Sequence, residues 1–264
     1  ASPLALFSVA TLLGLAQDDY EFIRASYDRF AAALANFTGD EQVRAAGAEA
    51  AGAFREFLRP QLRSLAAAPD GGLLSALLSA EPDRLSEDEV TANAMIILFG
   101  GLETTEAMIA NAVWALGIHD DARAAVRTDP GKLRAALEES LRWDAAVQSC
   151  TRHATRTTSL GEAQSAAGET VQCLLGAANR DPAHFPEPDV FDVDRANAED
   201  HLAFGFGKHM CLGAALARRQ AAIALEALFA VWPDWRLDRA RSLPPAGYEF
   251  RKPPAVWVTS DSPP

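Results

Sequence analysis

The chain has 264 residues, 49% hydrophobic and 23% charged, which is enough apolar material for a folded core and excludes wholesale disorder. With 24 basic against 36 acidic side chains the formal charge is −12, so no broad basic surface for nucleic acid is expected and any cationic patch is local. Three cysteines, Cys150, Cys173 and Cys211, are too few for a disulfide scaffold; a reducing cytoplasm and a single functional thiolate fit the odd number.

The uncharged opening, Ala1 to Gln17, reads as a buried or amphipathic helix. A signal peptide is the weaker reading, because there is no basic n-region and Asp18–Asp19 follow at once. No transmembrane helix is expected, and the absence of Met at position 1 points to a translation start upstream. Asp18–Asp19 can cap a helix through Phe22, Ile23, Tyr27, Phe30 and Leu34. After a break at Thr38-Gly39-Asp40, a second helix carries Val43, Ala46, Ala50, Phe54, Phe57, Leu58 and Leu62. Its Arg55, Arg59 and Arg63 share one face, as a solvated stripe or, more sharply, a docking patch.

Pro69-Asp70-Gly71-Gly72 is a turn. Beyond Leu73–Leu78, Ser86-Glu87-Asp88-Glu89 has the form of a capping box. It opens one helix to about Leu116, about thirty residues and about 45 Å long. Its middle, Ile96 to Phe99, is apolar all round and is expected to cross the core. Gly100-Gly101-Leu102-Glu103-Thr104-Thr105 follows, and two glycines, an acid and two hydroxyls inside such a helix mark a functional site.

Lys132 to Trp143 is a further helix. Thr151–Thr158 and Glu169–Leu175 read as short strands around turns at Gly161 and Gly168. Asn179 to Asp194, with three prolines, is a long irregular segment of the kind that is often functional. A last strong helix runs from about Cys211 to Val231, and the tail holds short strands near Phe250 and Val256–Val258.

The most informative run is Phe204-Gly205-Phe206-Gly207-Lys208-His209-Met210-Cys211-Leu212-Gly213. A cysteine where a glycine-rich loop enters a helix is poised to be a thiolate. Gly205, Gly207 and Gly213 let backbone approach a flat ligand closely. Such a thiol can serve as redox group, nucleophile, zinc ligand or haem ligand; no CxxC or second nearby Cys supports redox or zinc chemistry. A buried, inert Cys is the bland alternative.

The run resembles the cysteine-loop pattern F-x-x-G-x-x-x-C-x-G of cytochrome P450, as Phe204, Gly207, Cys211 and Gly213. Gly100 to Thr105 resembles that family's helix motif (A/G)-G-x-(D/E)-T-T, and Glu139-Ser140-Leu141-Arg142 its E-x-x-R. Asn179-Arg180-Asp181-Pro182, continuing through Phe185, Pro186, Phe191, Asp192 and Arg195, resembles the irregular stretch before the loop. The matches fall in the family's order.

The resemblance implies a mainly α fold with small β-sheets, one haem–thiolate domain over 1–264 corresponding to the C-terminal two-thirds of the family's fold. It makes Cys211 the axial ligand of haem b, shielded by Phe204, with Gly205 and Gly213 shaping the loop. His209 and Arg152 hold propionates, and Glu139, Arg142 and Arg195 form an ion network fixing the irregular segment. Glu103 and Thr104 are the proton-delivering acid and alcohol, and the glycines just before them, Gly100 and Gly101, leave room for dioxygen.

The implied function is a cytoplasmic monooxygenase oxidising a small organic molecule, in the manner of secondary metabolism, with a ferredoxin-type electron donor and no nucleic acid or membrane. Lys208, Arg218 and Arg219, helped by Arg55 and Arg59, are the expected donor patch. Against the family pattern, Ala145-Ala146 stands where Pro is common, and Ala1–Tyr20 resembles a segment well inside the usual chain. The family's N-terminal third is therefore expected to be absent. Three accounts fit that expectation: a piece of a longer monooxygenase, a short haem protein completed by a partner or a second copy, and a P450-derived helper that docks to another enzyme without catalysis. An open face bearing Leu98, Leu102 and Met108 is the expected dimer or partner surface.

Overall fold

The computed structural model describes residues 1–36, 38–80 and 85–261. By contacts the chain divides into two compact units, Ser2–Glu103 and Thr104 onward.

The first unit is helical: α1 (Ser2–Leu12), α2 (Tyr20–Leu34), α3 (Glu41–Ala67), α4 (Leu73–Leu78) and the opening turns of α5 (Glu87–Ile118). Asp40 caps α3, its carboxylate accepting from the Gln42 and Val43 amides at 2.8 and 3.3 Å. The capping box at α5 is formed: Ser86 N–H donates to Glu89 at 2.8 Å, and Glu89 N–H to Ser86 Oγ at 3.3 Å. Apolar side chains three and four residues apart then meet in one core. Leu6, Val9, Ile23, Tyr27, Phe30, Phe54, Leu58, Leu62, Val90, Ala94, Leu98 and Leu102 are all buried there. Arg55 and Arg59 lie on the solvent side of α3, paired with Asp88 and Glu56 at 3.2 and 2.9 Å.

Close helix packing accounts for one glycine. A Cβ at Gly101 would stand 2.5 Å from Val9 Cγ2 of α1. The space beside Gly101 is thus filled by Val9, and Gly101 is a packing residue; at Gly100, the other glycine expected to leave room for dioxygen, the same position is open. Gly101→Ala gains about 1 kcal/mol of helix propensity, but overpacking costs about 1–3 kcal/mol. Urea melts should show net destabilisation in the parent and stabilisation in a Val9→Ala background.

The second unit holds the rest of α5, then α6 (Asp120–Thr128), α7 (Leu133–Trp143), α8 (Leu175–Ala178) and α9 (Ala214–Val231). Its strands make three small antiparallel pairs. β1 (Cys150–His153) pairs with β4 (Thr170–Cys173), β2 (Thr158–Leu160) with β3 (Ala163–Ser165), and β5 (Arg236–Leu237) with β6 (Val258–Thr259). The strand expected over Thr151–Thr158 is therefore split, its end forming a separate hairpin. Phe250 makes a single bridge to Val147. The run after Trp143 keeps its pairing with Ala145-Ala146 in place, since Arg251 N–H reaches the Ala146 carbonyl at 2.9 Å.

By length and composition alone α5 could cross a membrane. It is not buried all round: Leu98 is fully buried while Ile96 is 67% exposed. Leu98, Leu102 and Met108 are all buried, so the open face expected to seat a dimer or partner is not there.

Candidate functional site

The irregular segment is held by side chains in place of a β-ladder. Glu139 and Arg142, one turn apart on α7, form a fully buried pair with bonds of 2.7 and 2.8 Å. The same guanidinium donates to the carbonyls of Asn179, Pro188 and Val190 at 2.9–3.1 Å. Arg195 donates to Glu139 at 3.1 Å and to the carbonyls of Pro186, Glu187 and Val190. The Asp192 amide completes the set on Glu139 at 2.9 Å. Both ions are thus desolvated with their hydrogen-bonding capacity taken up, the condition under which a buried pair is tolerated.

The segment leads into the loop through a second buried cluster that sequence reasoning missed. Arg218 on α9 donates two bonds to Glu138 at 2.7 and 2.9 Å, and His201 Nε2 donates a third at 3.1 Å. The Ala203 amide donates to His201 Nδ1 at 3.2 Å, which leaves the ring proton on Nε2, facing the carboxylate. Burial alone would raise Glu138, but the bonds from His201 and Arg218 and the Arg218 charge outweigh it and hold the carboxyl at about 2. Arg218 also lies over the Phe204 ring, 4.5 Å from its centroid. It is therefore a structural cation and not the free docking charge expected of it. The only sign in the sequence was a second acid beside Glu139.

This cluster has a pH signature. Depressed from about 4.3 in the unfolded chain, Glu138 contributes stability above that pH and loses it as pH falls through about 2. Glu138→Gln should cost about 2–3 kcal/mol at pH 7 in urea melts. The deficit should shrink steadily between pH 4.5 and 2; a deficit constant with pH would remove the carboxylate from this role.

The loop itself is a closed turn. Cys211 N–H donates to the Phe204 carbonyl at 2.8 Å, Gly205 N–H to Leu202 at 2.8 Å and Met210 N–H to Gly207 at 3.0 Å. Gly205 and Gly207 have φ of +72° and +77°, which side chains rarely adopt. The buried Asn179 side chain accepts from the Leu202 amide at 2.6 Å, tying the loop's start to the irregular segment. Cys211 belongs to the loop, and α9 begins at Ala214 and not at the cysteine. The Cys211 thiol is exposed. Around it Phe206, Met210 and Leu212 are 85%, 58% and 91% exposed.

The loop thus brings together Phe204, Gly205, His209, Cys211 and Gly213. His209 is exposed on the short turn Gly207–His209. Arg152 is exposed on β1, donating to the neighbouring Thr151 carbonyl at 2.8 Å. Glu103 is partly buried in the first unit, accepting from the Tyr27 hydroxyl of α2 at 3.3 Å. Burial first, and the Glu103 charge second, raise the Tyr27 phenol, which stays a donor. Thr104, also partly buried, is the first residue of the second unit.

A mainly helical fold thus carries a buried E-x-x-R network and a cysteine presented on a glycine loop. Residues 132–232 match the family model for cytochrome P450. Cytochrome P450 107B1 of Saccharopolyspora erythraea is 38% identical over 90% of this chain and 57% of its own length. A steroid C26-monooxygenase of Mycobacterium tuberculosis is 34% identical over 100% of this chain and 72% of its own. The crystal structure of P450BioI in complex with an acyl carrier protein superposes with a TM-score of 0.89 and 31% identity, covering 98% of this chain and 67% of that one. The chain belongs to the cytochrome P450 family. It spans 57–62% of the length of three curated relatives that it matches.

Proposed function

We propose that this chain binds haem b through Cys211 and works as a monooxygenase on a small organic molecule. The observation that carries the reading is the exposed Cys211 thiol on a closed loop, ringed by exposed Phe206, Met210 and Leu212. A single soft sulfur donor beside apolar side chains suits a flat, largely apolar macrocycle with one axial position to fill. A Cβ at Gly213 would stand 3.9 Å from the sulfur, and nothing lies within 4 Å of one at Gly205, so the loop leaves the thiol accessible. When bound, haem supplies the reductive activation of dioxygen.

The remaining roles belong to the chain's own side chains. Phe204, fixed under Arg218, shields the sulfur from water. His209 and Arg152, both exposed cations or donors, meet the propionates. Glu103 and Thr104 hold and pass protons, and the buried Tyr27 hydroxyl orients the Glu103 carboxylate. The name of the Mycobacterium tuberculosis relative supports a lipophilic organic substrate. A ferredoxin-type protein supplies electrons at a face that includes the exposed Lys208 and Arg219, and the cytoplasm is the proposed location.

Thr104→Ala tests the proton-delivery part of this reading. In the haem-loaded chain with a ferredoxin donor, the variant should keep consuming reductant while peroxide release rises roughly tenfold or more, a floor set below the roughly 10²–10⁴-fold that a positioned proton-transfer group contributes. Unchanged peroxide yield would make Thr104 a structural residue.

A further inference from the structure

The two cysteines outside the loop face each other. β1 and β4 pair antiparallel with Cys150 directly opposite Cys173. Both are free and partly exposed. Opposed Cα atoms in an antiparallel pair stand about 4.5–5.5 Å apart, inside the range of about 4.4–6.8 Å that a disulfide spans. The register beside them is pinned. Thr151 Oγ1 donates to Gln172 Oε1 at 2.7 Å across the strands, and the Ala154 amide to the Glu169 carbonyl at 2.9 Å. The register therefore places the two cysteines within the Cα span that a disulfide bridges.

We propose that Cys150 and Cys173 are a reversible oxidation site, forming an intramolecular disulfide with a small disulfide such as oxidised glutathione as the oxidant. One cysteine loses its proton to solvent, and its thiolate attacks the glutathione disulfide; that S–S bond breaks and a glutathione thiolate leaves. The other cysteine, deprotonated in turn, attacks the protein sulfur of the mixed disulfide and expels the second glutathione. Two cysteine thiols are oxidised, one small disulfide is reduced to two thiols, and the two protons end on the departing glutathiones. Burial, more than the Cys173 neighbour, raises the Cys150 thiol against the pull of Arg152.

The bridge would close the loop that carries the β2–β3 hairpin. It would also stiffen β1 next to Arg152, which lies two residues on and projects from the same face as Cys150. The site does not depend on haem, because neither cysteine belongs to the loop of Cys211.

The test uses the full chain in glutathione buffers of graded ratio, quenched in acid, alkylated and mapped by peptide mass spectrometry. The expected product is one peptide pair linking Cys150 to Cys173, with Cys211 alkylated and the link reversed by dithiothreitol. Cys150→Ser and Cys173→Ser should each leave a single glutathione adduct on the remaining partner. The proposal is overturned if the unaltered chain carries separate adducts on Cys150 and Cys173, links either one to Cys211 or to a second chain, or stays unoxidised at the most oxidising ratio.

Discussion

Reduced under carbon monoxide, the haem-loaded chain is expected to show the red-shifted Soret band of thiolate-ligated iron, and Cys211→Ala to lose it completely. The band depends on electron density donated by a sulfur anion, so no other residue of the loop can substitute for it. Cys211→His is the sharper variant, since imidazole can also bind iron but without that donation, and the red shift should vanish there too. The loop should survive both changes. Its closure runs through the Cys211 amide to Phe204, and the Asn179 side chain holds the Leu202 amide. Cys150→Ser and Cys173→Ser serve as controls within the same chain and should keep the band. Its absence from the unaltered protein, or its survival in Cys211→Ala, would end the assignment of Cys211 as ligand.

The second large effect falls on Arg142. Removing its guanidinium takes both of its bonds from the Glu139 carboxylate, which is 0% exposed and keeps only Arg195 and the Asp192 amide, and it frees the carbonyls of Asn179 and Pro188. Breaking one partner of a buried pair costs about 3–5 kcal/mol, a large part of the roughly 5–15 kcal/mol that keeps a domain folded. Arg142→Ala should therefore fold poorly. Arg142→Lys is the informative companion, because a point charge with three donors cannot span a carboxylate and three carbonyls at once. It should fold, with a lower urea midpoint and faster hydrogen exchange confined to residues 179–195. Replacing Glu139 and Arg142 together by Leu and Met should cost less than the sum of the two single changes. A midpoint unmoved by Arg142→Lys would mean that the network contributes nothing.

How much was legible depended on distance along the chain. The capping box at Ser86–Glu89 and the Glu139–Arg142 pair are local, three residues apart, and helical spacing alone puts them in contact. Arg195 was legible because the family pattern marks it. Glu138 was not: its partners His201 and Arg218 lie 63 and 80 residues away, and nothing local separates a buried acid from a solvated one on an amphipathic helix. The same reason made Arg218 look like a surface charge. Helix α9 starts at Ala214, three residues beyond the cysteine, because Cys211 to Gly213 still belong to the loop, a boundary that periodicity cannot reveal. Gly101 illustrates a third kind of miss. A glycine announces that something comes close, but only the fold shows that the neighbour is Val9.

The carbonyls gripped by Arg142 and Arg195 have one more consequence. Surface loops ordinarily absorb insertions and yield to proteases at their tips. Between Pro186 and Val190 this run lacks regular structure, yet the carbonyls of Pro186, Glu187, Pro188 and Val190 each meet a fixed guanidinium. Adding or deleting a single residue there would shift every later carbonyl out of reach of its donor. The stretch should accordingly be as strict in length as a helix, a poor place to splice a tag and a slow one for a protease of broad specificity to nick.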